Sequence, residues 1–312
     1  MADNRLAELA EMDRNELAGL LKDMGEGGIA PVLAGFTTQD FNKLLWAVTE
    51  PSDDDFVPPK IDQASVLQKK FKIELGQLWE LGDHKLLCGD STIKANVDLL
   101  MGGESARVCI TDPPYSVNYA QPKSCTRRGS DINVYKHYVE TGDPTEILKF
   151  IEAMPSDLLI FSFCDLHVFK LVEALKREWT LAKCLVWVKG NIAFSMGAAY
   201  QQKHELIYIC TRNGHGFRDN VPPDETTVLE YAKPMAHTIH PTQKPIELWT
   251  KLIRNHSDMG DLIYEPFSGS GTSIVACQRY QRRCRAIELS PEFVAVAIQR
   301  WIDETGGTPK LA

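Results

Sequence analysis

Short apolar runs bounded by glycine, proline and polar residues recur along most of the chain. Such runs are typical of buried strands, because a parallel strand covered on both faces is apolar throughout. Stretches with helical periodicity separate several of them, and this alternation predicts an α/β fold. The clearest runs are 84–89, 107–111, 158–161, 185–188, 261–265 and 284–287.

The first 60 residues have a different pattern. Leucines recur at helical spacing in residues 6–21, and a second amphipathic stretch follows Thr37–Asp40, so residues 1–48 predict two helices. Residues 49–60 are acidic and rich in proline, which is typical of a linker. The sequence therefore predicts a small helical N-terminal appendage with a linker (1–60) and one catalytic domain (61–312).

A turn with a carboxylate, two prolines and an aromatic ring follows the apolar run 107–111. Two prolines cannot donate backbone hydrogen bonds, so the strand ends there. In open α/β sheets, ligands bind at the carboxyl ends of the strands. Such a turn suits a planar substrate that carries an amine, with a carboxylate and a carbonyl to accept from the NH2 group and an aromatic ring to stack on the ring that carries it. The candidate catalytic residues are Asp112, Pro113, Pro114 and Tyr115.

A glycine-rich turn lies near the other end of the chain. The strand 261–265 runs into Glu265–Thr272, Glu-Pro-Phe-Ser-Gly-Ser-Gly-Thr, and a helical stretch through Ile274–Cys277 follows. Glycines in a strand-to-helix turn let the backbone approach a ligand closely. The next apolar run ends in Glu288, at the distance where nucleotide-binding units place the acceptor for ribose hydroxyls.

Together these segments resemble the S-adenosylmethionine-dependent DNA methyltransferases that modify exocyclic amines. Members of that family carry (D/N/S)PP(Y/F/W) and (D/E)PFxGSGT motifs, here at Asp112–Tyr115 and Glu265–Thr272. Four further segments also resemble the family's pattern in a consistent order, and the resemblance covers roughly residues 75–300. They are Leu87–Ser91 (LCGDS), Trp187–Asn191 (WVKGN), His204–Ile207 (HELI) and His240–Pro245 (HPTQKP).

The order of the motifs implies the β group of this family, in which the catalytic motif precedes the cofactor motif. The implied fold is a doubly wound, Rossmann-like class I methyltransferase sheet in circularly permuted order. Asp112 at the first motif position favours adenine N6 over cytosine N4. Residues 1–48 are also similar to the spacer of phage-type methylases fused to a ParB-like domain, although a plain helical appendage fits them equally well.

The resemblance implies S-adenosylmethionine as the cofactor and assigns residues to it. Glu288 would accept from the ribose hydroxyls, Asp90 would accept from the adenine amine, and Lys244 would hold the methionine carboxylate. The full predicted set is Asp90, Ser91, Asp112, Thr242, Lys244, Glu265, Phe267, Ser268, Gly269, Ser270, Gly271, Thr272 and Glu288.

Double-stranded DNA is the expected substrate, and a homodimer is expected by resemblance. The net charge of −8 excludes a protein that coats nucleic acid generally but not one that binds DNA through a local patch. Four basic residues after the catalytic motif either contact phosphates beside an extruded base or are ordinary charges of a solvated loop: Lys123, Arg127, Arg128 and Lys136. A loop over the target base is predicted at about 116–142, and a short, irregular target-recognition region at about 211–239.

The remaining composition narrows the setting. Eight scattered cysteines without a C-x-x-C pair predict free buried thiols, with no metal site or disulfide. No apolar stretch reaches the length of a membrane span and no signal-peptide pattern is present, so we expect a cytoplasmic protein, bacterial or phage-encoded. The sequence does not decide whether a cognate restriction enzyme is a partner.

Three other functions compete with adenine methylation. Cytosine N4 methylation would use the same site. A nucleotide-dependent dehydrogenase leaves Asp112–Tyr115 unexplained, and its glycines lack the G-x-G-x-x-G spacing. A non-catalytic DNA-binding or partner subunit is disfavoured by the intact motifs. Trp187 and His204 are interpreted as structural, the first in core packing and the second at a strand edge.

Overall fold

The structure, a computed structural model, describes residues 56–113, 146–163, 175, 178–190, 203–213, 219–222, 225–231 and 244–312. Residues 56–312 form one compact unit. The predicted N-terminal helices and the whole predicted target-base loop, 116–142, lie outside the described residues. The described residues contain no helix with the length and apolar character of a membrane span.

Ten strands and five α-helices are described, together with short 3-10 helices at Ile61–Gln63 and Glu146–Ile151. The strands are β1 Leu78–Leu81, β2 His84–Cys88, β3 Val108–Thr111, β4 Leu158–Phe163, β5 Trp179–Lys189, β6 His204–Arg212, β7 Val228–Tyr231, β8 Leu262–Glu265, β9 Arg283–Glu288 and β10 Lys310–Leu311. The helices are α1 Ala64–Phe71, α2 Lys94–Met101, α3 Ile246–His256, α4 Thr272–Arg279 and α5 Pro291–Thr305.

The strands form one sheet in the order β10-β1-β2-β9-β8-β3-β4-β6-β5-β7. Strands β2, β9, β8, β3 and β4 are parallel, whereas β6 runs antiparallel between β4 and β5. The strand before the Asp-Pro-Pro turn, β3, lies beside the strand before the glycine turn, β8, with Cys109 opposite Tyr264. The predicted Rossmann-like sheet in permuted order is confirmed, since its central strands are parallel and β3, which precedes Asp112, comes earlier in the chain than β8, which leads into the glycine turn.

Helices cover both faces of the sheet. One core cluster joins the sheet to α1, α3, α4 and α5, and the other joins it to α2 and the 3-10 helix Glu146–Ile151. Helix α5 begins where Ser290 Oγ accepts from the Phe293 amide at 3.4 Å and Pro291 occupies the first turn. It ends at Gly306 in the left-handed region.

Two expectations from the sequence are wrong in detail. The region 211–239 is not irregular throughout, because β6 continues to Arg212 and Val228–Tyr231 pairs with β5 as an added parallel strand. Cys184 is exposed, because the middle of β5 carries exposed side chains on both faces of the sheet. The other described cysteines are buried and all of them are free.

A buried histidine ties β2 to β9. His84 Nδ1 accepts from the Cys284 amide at 3.0 Å, so the proton resides on Nε2, which donates to Gln278 Oε1 at 3.0 Å. Burial lowers the pKa of His84 to about 4, although the bond to Gln278 opposes this change. The folded protein therefore holds this imidazole neutral at pH values where the unfolded chain protonates it.

We expect the stabilisation that His84 provides to fade as the pH falls. Because its folded pKa of about 4 lies below the unfolded value of 6.5, the contribution is complete above pH 6.5 and is lost towards pH 4. The loss amounts to about 3 kcal/mol at most. Denaturant titrations of wild type and His84→Asn should give free energies of unfolding that differ most at pH 7.5 and converge towards pH 5. His204→Asn, at an exposed position, is the control, and a constant His84→Asn difference would contradict the proton linkage.

Candidate functional site

Charged side chains from five strands meet at one edge of the sheet. Asp112 follows β3, and Glu265, Glu288 and Lys189 are the last residues of β8, β9 and β5. Glu205 is the second residue of β6, which reaches the same edge because that strand is antiparallel. This is the edge where open α/β sheets bind their ligands.

Asp112 presents one occupied and one available oxygen. Its Oδ2 accepts from Lys244 Nζ at 2.6 Å. Its Oδ1 is buried and has no hydrogen-bond partner within the described part of the chain. Burial raises the pKa of Asp112, and the Lys244 ammonium opposes that rise. A buried carboxylate oxygen without a donor is costly, so it is a place where a ligand donor would be favoured.

Lys244 lies between two carboxylates. Its Nζ is 3.1 Å from Glu205 Oε2, and Glu205 Oε1 in turn pairs with Lys189 Nζ at 2.6 Å. The Lys244 side chain is only 7% exposed. Burial acts to raise the pKa of Glu205, but the two lysines outweigh it and hold that pKa below its usual value. The four residues thus form a chain of alternating charge that ends on Asp112.

The sequence pattern alone does not identify Lys189 and Glu205 as site residues. Their segments resembled family motifs, but no role followed from the residues alone. A usable signal was present, since each lies at the end of a predicted strand or next to one, where site residues collect. Trp187 is confirmed as packing: it is 1% exposed, and its Nε1 donates to the Tyr231 carbonyl at 3.0 Å. His204 is exposed at the start of β6.

The two glycines of the glycine-rich turn serve different purposes. Gly269 has a φ of +53°, and a Cβ built there would meet no atom within 4 Å. Gly271 has a φ of +80°, and its Cβ would lie 2.7 Å from the Ala297 Cβ on α5. Gly269 therefore leaves open space beside the turn, whereas Gly271 lets α5 pack against it.

Glu288 is tied to the same turn. Its Oε2 accepts from the Gly269 amide and its Oε1 from the Ser290 amide, both at 2.8 Å. Burial raises the pKa of Glu288 to about 7, and the backbone donors oppose the rise. The Gly89 amide donates to the Glu288 carbonyl at 2.9 Å, which places Asp90 on the neighbouring strand end. Asp90 Oδ1 accepts from the Thr92 amide and hydroxyl at 2.8 and 2.7 Å.

Glu265 is turned into the protein beneath the site. Its Oε1 accepts from Thr111 Oγ1 at 2.6 Å and from the Phe267 amide at 3.1 Å, and its Oε2 accepts from Ser273 Oγ at 2.8 Å. Thr272 also points away from the open space, since its Oγ1 accepts from Arg300 at 3.0 Å. Phe267 packs edge-on against Phe150, with ring centroids 5.2 Å apart.

The turn fits a nucleoside cofactor such as S-adenosylmethionine. Open space lies at Gly269, Ser268 Oγ is buried without a partner among the described residues, and Glu288 offers a carboxylate at the adjoining strand end. Several predicted site residues lie outside the described residues: Pro114, Tyr115, Lys123, Arg127, Arg128, Lys136 and Thr242. The described ranges contain no cluster of three or more His, Cys, Asp or Glu side chains that could hold a metal ion.

Comparison with known proteins agrees with this geometry. A family model described as DNA methylase, of the N6/N4 methyltransferases, matches residues 106–299. The type II methyltransferase M.HpaI of Haemophilus parainfluenzae is 37% identical over 264 residues, which cover 72% of this chain and 76% of that protein. M.Cfr9I of Citrobacter freundii is 29% identical over 161 residues, covering 46% of this chain and 52% of that protein.

The solved structures show the same fold. The cytosine-N4-specific PvuII DNA methyltransferase superimposes with a TM-score of 0.54 at 16% identity, over 71% of this chain and 87% of that one. The sheet and its turns therefore define a class I methyltransferase fold. The chain belongs to the N6/N4 DNA methylase family, whose members use S-adenosylmethionine. It spans about half the length of M.Cfr9I and of the similar M.XycI of Xanthomonas campestris pv. cyanopsidis.

Gly269→Val should abolish S-adenosylmethionine binding in a folded protein. A β-branched side chain would fill the open space beside the turn. Gly103→Val is the matched control, because Gly103 also has a positive φ, of +85°, and open space around its Cβ but lies at the end of α2. Titration calorimetry should show no binding for the first variant and wild-type affinity for the second. Wild-type affinity in folded Gly269→Val would contradict the assignment of the turn.

Proposed function

We propose that this protein is a DNA methyltransferase that transfers a methyl group from S-adenosylmethionine to adenine N6 of a flipped-out base. The observation that carries the proposal is Asp112 Oδ1, a buried acceptor without a donor in the described part of the chain. It lies on the strand adjacent to the glycine-rich turn that fits the cofactor.

The chemical problem is a poor nucleophile, since the lone pair of the exocyclic amine is delocalised into the ring. Asp112 Oδ1 and the Pro113 carbonyl would accept the two amine hydrogens and turn the lone pair out of the ring plane. The same oxygens would stabilise the positive charge that develops on that nitrogen. Bound S-adenosylmethionine supplies a methyl group that its sulfonium makes electrophilic, so alignment is the main further requirement.

Lys244 has two roles in this proposal. Its 2.6 Å contact fixes Oδ2 of Asp112, so that Oδ1 is the oxygen turned to the amine. Glu205, which is itself paired with Lys189, holds Lys244 in that place from the other side. The role expected from the sequence, binding the methionine carboxylate, is compatible with an ammonium at this edge and stays part of the proposal.

The remaining roles are proposals about the approach of DNA. A base inside a duplex is out of reach, and flipping it out costs a few kcal/mol. Stacking on Tyr115 would recover part of this cost, and the basic side chains of the 116–142 loop would contact phosphates, namely Lys123, Arg127, Arg128 and Lys136. Residues 211–239 would contribute to sequence recognition, with residues 1–55 as an appendage to the catalytic unit 56–312. A homodimer in a bacterial or phage-infected cytoplasm is the proposed working form.

Asp112→Ala should reduce methyl transfer by two to three orders of magnitude while cofactor binding persists, because one acceptor for the developing charge typically contributes about 10²–10³ in rate. Transfer of tritiated methyl groups to unmethylated DNA measures the rate, and calorimetry measures the binding. Asp98→Ala, which removes an exposed carboxylate on α2, is the control. More than about a tenth of wild-type turnover in Asp112→Ala would contradict the role, given that expected loss.

The modified base should be adenine. Asp112 at the first motif position favours N6 of adenine by resemblance, whereas the hydrogen-bonding chemistry would serve cytosine N4 equally well. Mass spectrometry of nucleosides from DNA methylated by the purified protein decides between them. N6-methyladenine as the main product supports the proposal. N4-methylcytosine would overturn the choice of base and leave the site and cofactor assignments in place.

A further inference from the structure

A buried arginine lies behind the glycine-rich turn. Arg300 on α5 is 3% exposed, and its guanidinium donates to two separate segments of the chain. Nη1 donates to Thr272 Oγ1 at 3.0 Å and, more weakly, to the Ser270 carbonyl at 3.4 Å. Nε donates to the Val57 carbonyl at 2.8 Å. The glycine-rich turn and the segment that begins the domain are therefore held by one side chain.

The segment Phe56–Lys60, here called the N-terminal strap, has its own contacts with the helices behind the turn. Lys60 Nζ pairs with Asp303 at 2.7 Å, and the Phe56 ring lies under the Arg279 guanidinium at 3.9 Å from centroid to carbon. The Val57 amide faces Glu304 Oε2 at 3.5 Å. The sequence assigned these residues to a linker, but in the structure they lie against α4 and α5.

A planar guanidinium suits this place and an ammonium does not. Different nitrogens of the Arg300 guanidinium donate to the strap and to the turn, so one planar group bridges the two segments. A lysine would present a single donor atom. Burial lowers the pKa of Arg300 to about 10, which still leaves it charged near neutral pH. A buried cation that loses an acceptor is strongly destabilised. Arg300 therefore favours the arrangement in which the strap and the turn both supply their acceptors.

We propose that Arg300 is a positioning residue for the cofactor turn, and that docking of the N-terminal strap on α5 tightens S-adenosylmethionine binding through it. This inference rests on the proposed role of the glycine-rich turn. By linkage, cofactor binding should in return hold the strap more firmly against the helix.

The first test is calorimetric titration of the full-length chain with S-adenosylmethionine. Arg300→Lys should weaken binding about tenfold, in line with the loss of a charged hydrogen bond. Thr272→Val removes the same contact from the other partner with little change in shape and should weaken binding in the same direction. The double variant should bind no worse than the weaker-binding single variant, because both changes remove the same interaction.

Lys60→Met, which breaks a strap contact that does not involve the turn, is the control. Its affinity for S-adenosylmethionine should stay within about twofold of wild type, as expected for a surface ion pair.

The second test is hydrogen exchange of the backbone amides of residues 57 and 60 with and without S-adenosylhomocysteine. Ligand should slow exchange in wild type and in Lys60→Met but not in Arg300→Lys. Wild-type affinity in folded Arg300→Lys and Thr272→Val would overturn the inference. So would a hydrogen-exchange rate of the strap amides in wild type that is the same with and without the ligand. If Arg300→Lys does not fold, Thr272→Val and the wild-type exchange data decide. Tight binding by Gly269→Val would instead remove the cofactor assignment of the turn itself.

Discussion

The buried carboxylate of Glu265 is the contact on which the geometry of the site depends. It accepts hydrogen bonds from the Thr111 hydroxyl at the end of β3, from the Ser273 hydroxyl in the first turn of α4, and from the Phe267 amide. Burial raises the pKa of Glu265 to about 7, and these donors oppose the rise. Because a buried carboxylate is stable only while its donors stay in place, the strand that carries Asp112 and the turn that fits the cofactor cannot move independently.

The ion pairs that alternate from Lys189 through Glu205 and Lys244 to Asp112 extend this rigidity to Asp112 Oδ1, the oxygen that we propose accepts from the substrate amine. Two cations and two anions leave the group neutral, which limits the cost of placing it in a region shielded from water. The reversed direction of β6 is part of the arrangement. A parallel strand in that position would deliver its last residues to this edge, whereas β6 delivers its first, and so brings Glu205 to Lys244.

The sequence predicted the parts of the site that depend on local pattern. The strands before Asp112 and Glu265, the glycine turn and the terminal acid Glu288 all follow from apolar runs and turn chemistry, and the structure has each of them. The contacts that join these elements could not be predicted, because periodicity carries no information about partners far apart in the chain. Asp112 and Lys244, for example, are 132 residues apart. The strand Val228–Tyr231 is not predicted by the sequence pattern, because it is short and half exposed and contains no strong apolar run. The motif also did not separate Gly269 from Gly271, since their roles depend on what lies beside each Cβ.

The permuted order has a mechanical consequence. The chain passes through the site at Asp112, again at Lys189 and Glu205, and once more at Lys244, and the ion pair between Asp112 and Lys244 joins the two ends of the intervening segment. Strands β4 to β7 lie within that segment and extend the sheet on one side, so the strands described there are anchored in the sheet. Under the function proposed above, a target-recognition region within this segment would be tethered at both ends to residues of the site. In that proposal, changes in its length or sequence would alter which DNA is recognised, while Thr111, Glu265 and Lys244 would still hold the position of Asp112.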